Sequence, residues 1–293
     1  MKAKQQFQTE SAQFIEREIK TFVHTSSLNC IPMMDNQIIF DEPLVKFADG
    51  DDPIFAEYKT VVHLTHLTPR EALAKTYSKS PEDIPAHLSV ISWILPFTRK
   101  IRESNRRHTL TPSRLWLNAY CYGEEFNDAL REHVVELVIK MGYMAAAPVK
   151  QPYFKKEYCP VNEKAPYSNW SERHIAYAAG LGTFSLSDGF ITERGIAHRC
   201  GSVVTALMLP VSLRTAKTPY SNCLFYVNGS CRACIARCPV GAISENGHDK
   251  VKCRDKVRLS EKYKVGALAC GLCQTRVPCE FRNPTKKASI KMA

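Results

Sequence analysis

No apolar run in this sequence reaches the roughly 18 residues of a membrane span, so no spanning helix and no membrane partner are expected. The stretch Met1 to Gln8 is polar and has no hydrophobic signal core, which points to a cytoplasmic, reducing location. Internal repeats and low-complexity stretches are also missing. Acidic residues are outnumbered, 29 against 40 basic ones, giving a net charge of +11. That surplus permits an anionic partner such as RNA, an acidic redox protein or a phosphate-bearing cofactor without choosing among them; a basic solvated surface is the plain alternative. With 44% apolar and 24% charged residues the chain is expected to be globular, and its length allows one large domain and a small one.

Cysteine, by contrast, is abundant and uneven. Eight of the twelve cysteines lie between Cys223 and Cys279. Cys231, Cys234 and Cys238 have the spacing C-x2-C-x3-C-P, the iron–sulfur run C-x2-C-x2-C-x3-C-P without its first cysteine. Asn228 occupies the missing place, and an amide is a poor ligand for iron. Cys223, eight residues before Cys231, is the nearest substitute; an open iron or a ligand from Cys200 are the alternatives. A cubane cluster needs four converging thiolates, and the cysteine before the proline points to a second cluster. This assigns Cys223, Cys231, Cys234 and Cys279 to one [4Fe–4S] cluster, and Cys238, Cys253, Cys270 and Cys273 to another. Structural zinc also uses C-x2-C pairs, and a disulfide framework would need an oxidising compartment. The C-P-V-G-A-I continuation, with its short apolar strand, belongs with ferredoxin modules. Cys30, Cys121, Cys159 and Cys200 are expected to be buried apolar thiols.

Ahead of the cysteines, Phe14, Ile15, Ile19, Phe22 and Val23 recur on a helical period. Residues 31–55, rich in proline and aspartate, read as an irregular, solvated segment. Thr68-Pro69-Arg70-Glu71 is a capping box that opens a helix to about Tyr77. Leu88 to Pro96 reads as a buried strand, and Phe126 to Met141 as a helix within 124–141 stopped by Gly142. Y-M-A-A-A-P should be a strand, residues 151–170 a structured loop, and Ser171 to Ala179 a short helix ending at Gly180. Asp188-Gly189 signals a hairpin, and Gly201 to Pro210 a further buried strand. His63, His66 and His108 read as ordinary histidines. The boundary is set near 210–215, with domains 1–212 and 213–293; a strand–helix–strand order gives the front one an α/β layer.

Two segments carry a resemblance. S-E-R-H-I-A-Y-A-A-G-L-G-T-F at 171–184 resembles the E-R-x-x-A-x-x-A-G-L-G-W segment of epoxyqueuosine reductases, and I-T-E-R-G-I-A-H-R-C-G-S-V-V-T-A-L-M-L-P at 191–210 is similar to the segment that follows it. The order of the cysteines matches as well. That family is related to the reductive dehalogenases. The resemblance covers roughly residues 85–283 and implies a nitroreductase-like α/β (α+β) domain that binds a corrinoid, cobalamin, followed by a ferredoxin-like two-cluster domain. It implies a reductase that cleaves a C–O or C–halogen bond in a small molecule or modified nucleoside, with electrons from a flavodoxin or ferredoxin. Gly182, Thr183, Phe184, Ser185, Gly201 and Ser202 stand where that family lines its corrinoid pocket. No D-x-H-x-x-G motif is present, so the cobalt is expected to have no histidine on its lower face. The aspartate that the reductases carry before E-R is absent; Tyr167 is the nearest proton-bearing group, as in the dehalogenases, with simple packing the alternative. Leu186 stands in place of the family's G-K-N lysine. The C-terminal extension that helps longer reductases bind tRNA has no counterpart, which weakens a tRNA substrate more than a corrinoid. The alternative function is a ferredoxin-like electron carrier whose front domain docks a partner enzyme and holds no corrinoid.

Overall fold

The computed structural model describes residues 2–157, 166–263 and 268–286. Cys159 lies outside them. The described residues fall into two compact units, each assembled from separated stretches: residues 1–98, 118–181 and 199–214 in one; residues 99–117, 182–198 and 215–293 in the other.

The first unit is built on a four-stranded sheet in the order Leu44–Asp49, Ser89–Pro96, His198–Thr205, Ala145–Ala146. Both outer pairs are antiparallel, Leu44 opposite Ile94 and Val204 opposite Ala146, which makes the architecture α+β. Ser89–Pro96 is buried throughout, as expected of a largely apolar strand covered on both faces, with only Ser89 and Ser92 polar. The segment expected to be irregular at 31–55 supplies the edge strand Leu44–Asp49. Its residues Leu44, Val45 and Lys46 are only half-buried, so the strand exists because Ser89–Pro96 is there to pair with it. The strand expected at Gly201–Pro210 starts earlier and stops at Thr205.

Local signals act where they were expected. Thr68 Oγ1 accepts from the Glu71 amide and Glu71 Oε2 from the Thr68 amide, so both halves of the capping box close over the helix Pro69–Thr76. The first helix runs over Lys2–Thr25 and buries Ile15, Ile19 and Val23. The helix read over 124–141 extends back to Arg114, because Trp116, Leu117 and Ala119 are as fully buried as Phe126, Leu130, Val134 and Val138. It stops at Lys140, two residues before Gly142 at φ +89°. Among the described residues no helix is long and apolar enough to cross a membrane.

The second unit holds a hairpin, Gly182–Phe184 against Phe190–Thr192, turned by Asp188 in the left-handed region at φ +55°. It also holds the helices Arg99–Arg106, Leu224–Asn228, Ala233–Arg237 and Lys250–Arg258. Glu280 ties this unit together. It is 1% exposed and accepts from Arg106 Nε at 2.7 Å and from the Arg276 amide at 2.7 Å, with Arg102 at 3.5 Å. A carboxylate so buried is stable only with charge-assisted partners of this kind.

Candidate functional site

The eight clustered cysteines all belong to the second unit. Cys223 is the N-cap residue of Leu224–Asn228 and is 8% exposed, packed with Leu186, Ile191, Ile196, Ile243 and Val277. Cys223, Cys231, Cys234 and Cys279 line one hollow. Burial, reinforced by Cys223 and Cys231, pushes the Cys234 thiol up to about 11. Burial and then Cys234, Cys223 and Cys231 push Cys279 higher still. Cys273 is likewise raised by burial, then by Cys270, Cys253, Cys234 and Cys238, and Cys270 in turn feels Cys238. Cys234 and Cys279 thus feel each other together with Cys223 and Cys231, while Cys273 feels Cys270, Cys253 and Cys238. Cys273 also feels Cys234 and lines the same hollow as the first four.

Local chemistry explains how the chain reaches this arrangement. Asn228 Oδ1, at the place of the absent cysteine, accepts from the Ser230 amide and hydroxyl at 3.1 and 2.7 Å and so fixes a turn. Gly229 follows at φ +69°. Asp249 caps Lys250–Arg258 through the Val251 and Lys252 amides and so sets Cys253 on the helix. Gly271, between Cys270 and Cys273, is left-handed at φ +66° and lies against the buried Trp116 indole, where a Cβ would collide.

These thiols suit a cluster. Four protonated sulfurs around one apolar hollow gain nothing from each other, whereas iron supplies the positive charge that lets them ionise together. Among the described residues no three His, Cys, Asp or Glu side chains stand as a ready site for one metal ion. A cubane does not ask for that, since each thiolate binds a different iron.

The residues expected to line a corrinoid pocket are divided between the units: Gly182, Thr183, Phe184 and Ser185 in the second, Gly201 and Ser202 in the first. In the structure their side-chain functions are taken up internally. A Cβ on Gly182 would run into the Ile191 carbonyl, and one on Gly201 into the Trp93 indole. Thr183 is fully buried and its Oγ1 accepts from the Asn222 amide at 2.8 Å. Phe184 packs edge-on against Phe190. Ser185 Oγ pairs with Ser187 Oγ at 3.0 Å. Ser202 is fully buried; it accepts from Trp170 Nε1 at 3.0 Å and donates to Glu172 Oε2 at 2.6 Å. The four side chains among these six residues are thus engaged in contacts within the protein. Tyr167 is half-buried and stacks flat on His63, ring centroids 3.6 Å apart.

Sequence reasoning missed a charged network in the first unit. Arg131, 1% exposed, donates to Asp128 at 2.6 Å, Glu124 at 2.9 Å, Glu172 at 3.2 Å and the Cys200 carbonyl at 3.2 Å. Glu172 is 15% exposed. Burial raises its carboxyl to about 7 against the pull of Arg131 and Ser202, because Arg131 is shared among three carboxylates. Cys200 beside it is raised by burial to about 12. The E-R pair at 172–173 was the one visible trace. His66, fully buried, accepts the Ser171 amide on Nε2 at 3.1 Å, and burial lowers it to about 4, so it stays neutral. Cys30, Cys121 and Cys200, expected to be buried, are each only half-buried, with Cys30 Sγ 3.1 Å from the Ser27 carbonyl.

No family model matches the chain, and no curated protein matches it. Among solved structures it is similar to epoxyqueuosine reductase from Bacillus subtilis, with 16% identity and a TM-score of 0.42 over 81% of this chain and 61% of that one. It is similar to an epoxyqueuosine reductase crystallised with an epoxyqueuosine-modified tRNA-Tyr stem loop, with 15% identity and a TM-score of 0.47 over 92% and 66%. It is also similar to the catabolic reductive dehalogenase NpRdhA in complex with 3-bromo-4-hydroxybenzoic acid, with 18% identity and a TM-score of 0.47 over 83% and 30%. The chain thus spans less than two thirds of the first reductase and under a third of the dehalogenase.

Proposed function

We propose that this chain is an iron–sulfur reductase in which two [4Fe–4S] clusters carry single electrons to a substrate. The observation that supports it is the gathering of eight thiols in one compact unit, five of them around a single hollow. Cys223, Cys231, Cys234 and Cys279 would hold one cluster, and Cys238, Cys253, Cys270 and Cys273 the other. Such clusters supply low-potential one-electron transfer. Cys234 and Cys273 line the same hollow, which supports passage from one cluster to the other.

The reaction class is reductive cleavage of a C–O or C–halogen bond in a small molecule or modified nucleoside. Replacing halogen by hydrogen consumes two electrons and one proton and releases halide; reducing an epoxide to an alkene consumes two electrons and two protons and releases water. Two one-electron carriers and a proton donor match that demand. A reduced flavodoxin or ferredoxin is the class of donor. Tyr167, held flat by His63, is the proposed proton donor of the chain. The corrinoid belongs to this reading through the segments at 171–184 and 191–210; a tRNA substrate has the same footing.

The inward use of Thr183, Gly201 and Ser202 favours a second reading, an electron carrier that docks another enzyme and binds no corrinoid. Anaerobically purified protein should contain about eight iron and eight acid-labile sulfide per chain. Zinc, or four iron, would refute the two-cluster reading. Cys223→Ala should remove or convert one cluster by low-temperature paramagnetic resonance. Reconstitution with hydroxocobalamin then separates the functions: stoichiometric retention with a base-off cob(II) signal supports the reductase, and loss on washing with both clusters intact supports the carrier. If it is retained, Tyr167→Phe should cut turnover without changing retention.

A further inference from the structure

The two thiol quartets sit in different electrostatic surroundings. Around Cys223, Cys231, Cys234 and Cys279 the wall is mostly apolar, with Ile191, Leu224, Phe225, Val277, Pro278 and Pro284 beside Ser185 and Ser187, and the neighbouring Arg232 is exposed and paired with Glu245. Around the second quartet stands a fixed cation. Arg237 immediately precedes Cys238. Its Nε donates to the Leu272 and Thr275 carbonyls at 3.1 and 3.0 Å, on either side of Cys273. Its remaining nitrogens donate to the His108 carbonyl at 2.8 Å, the Asn105 carbonyl at 3.3 Å and Thr275 Oγ1 at 3.4 Å. Every one of these acceptors is neutral, and the charged side chains that act on the guanidinium, Arg276 and Glu280, have opposite signs. That charge acts on Cys270 and Cys273. Lys256, on the helix that carries Cys253, acts on Cys270 as well.

Adding one electron to a cluster makes it one charge more negative, with no bond broken and no proton required. A nearby cation stabilises the reduced form and raises the potential; apolar, water-poor walls do the reverse. We propose that Arg237, supported by Lys256, is a positioning residue that holds the Cys238/Cys253/Cys270/Cys273 cluster at a higher reduction potential than the Cys223/Cys231/Cys234/Cys279 cluster. Under a one-electron reductant the second cluster then fills first and serves as the store, and the first is the stronger reductant. This rests on the two-cluster reading above.

The test is an anaerobic redox titration of the holoprotein, with dithionite as reductant and both clusters followed by paramagnetic resonance. Iron and sulfide analysis comes first, so that failure of the two-cluster reading is seen apart from failure of this one. Cys223→Ser assigns the first cluster's signal. In wild type the second cluster should have the higher potential. In Arg237→Gln its reduction equilibrium should fall about tenfold or more, which is about 59 mV for one electron, while the first cluster moves far less. Arg237→Lys should restore most of the loss. Lys256→Gln should lower the same cluster by a smaller factor, and it decides the matter if Arg237→Gln loses iron. The proposal is overturned if the first cluster is the higher one in wild type, if Arg237→Gln moves both equally or neither, or if Lys256→Gln leaves the second potential unchanged.

Discussion

Replacing Glu172 by glutamine should remove a loss of stability that sets in as pH rises. The carboxyl is pushed up to about 7 from a free-chain value of 4.5. Below the free-chain value both the folded and unfolded chains hold the proton, and the group's contribution is fully present. Between 4.5 and 7 the unfolded chain ionises and the folded one does not, so stability falls as pH rises; above the folded value the loss is complete. About two and a half pH units at about 1.4 kcal/mol each come to about 3 kcal/mol. Glutamine mimics the protonated acid and can still accept from Ser202, yet has nothing to titrate. The melting temperature of Glu172→Gln minus that of wild type, at equal iron content, should therefore rise between pH 5 and 8, by roughly 6–12 °C for a domain of this size. Infrared difference spectra should show a protonated carboxyl in wild type near pH 6 that the variant lacks. A melting difference constant across that range, or one moving the other way, would mean that Arg131 keeps Glu172 ionised and that sharing Arg131 among three carboxylates does not weaken its hold.

Three further outcomes are expected. Gly271→Ala combines left-handed strain with a collision against buried Trp116 and should cost about 2–5 kcal/mol, read as a lower melting temperature and loss of iron from the Cys270/Cys273 side. Thr68→Ala removes half of the capping box and should cost about 1 kcal/mol, with no change in iron content. Cys200 should be the slowest of Cys30, Cys121 and Cys200 to react with iodoacetamide at pH 8, since burial lifts its thiol to about 12; equal rates by peptide mapping would contradict that.

What could be read from the sequence was what is local. The capping box, the buried run at Ser89–Pro96, the Asp188 turn and the cysteine spacings each operate within a few residues. Leu44–Asp49 was hidden because its half-buried edge strand has no apolar alternation of its own and borrows its conformation from a partner 45 residues on. The first two turns of Arg114–Lys140 were hidden because Asn118, Tyr120 and Tyr122 blur the period that Trp116, Leu117 and Ala119 begin. Arg131 draws on Glu124, Asp128, Glu172 and the Cys200 carbonyl, which no spacing rule connects. The family-like glycines at 182 and 201 were legible as glycines, but what presses on them, Ile191 and Trp93, emerges only in the folded chain.

The clasp between Arg106 and Glu280 has a consequence for the order of events in the cell. Its two halves are 174 residues apart, and at about 5–20 residues per second the ribosome needs roughly 10–35 s to supply the second after the first. Throughout that interval the helix Arg99–Arg106 waits without its carboxylate, and Cys279, the last thiol of the set, has not been made. Closure of the cysteine-rich unit therefore waits until Glu280 has been made. A cluster of the proposed kind could not be completed before that point, because until Cys279 is made only three sulfurs of the first quartet exist.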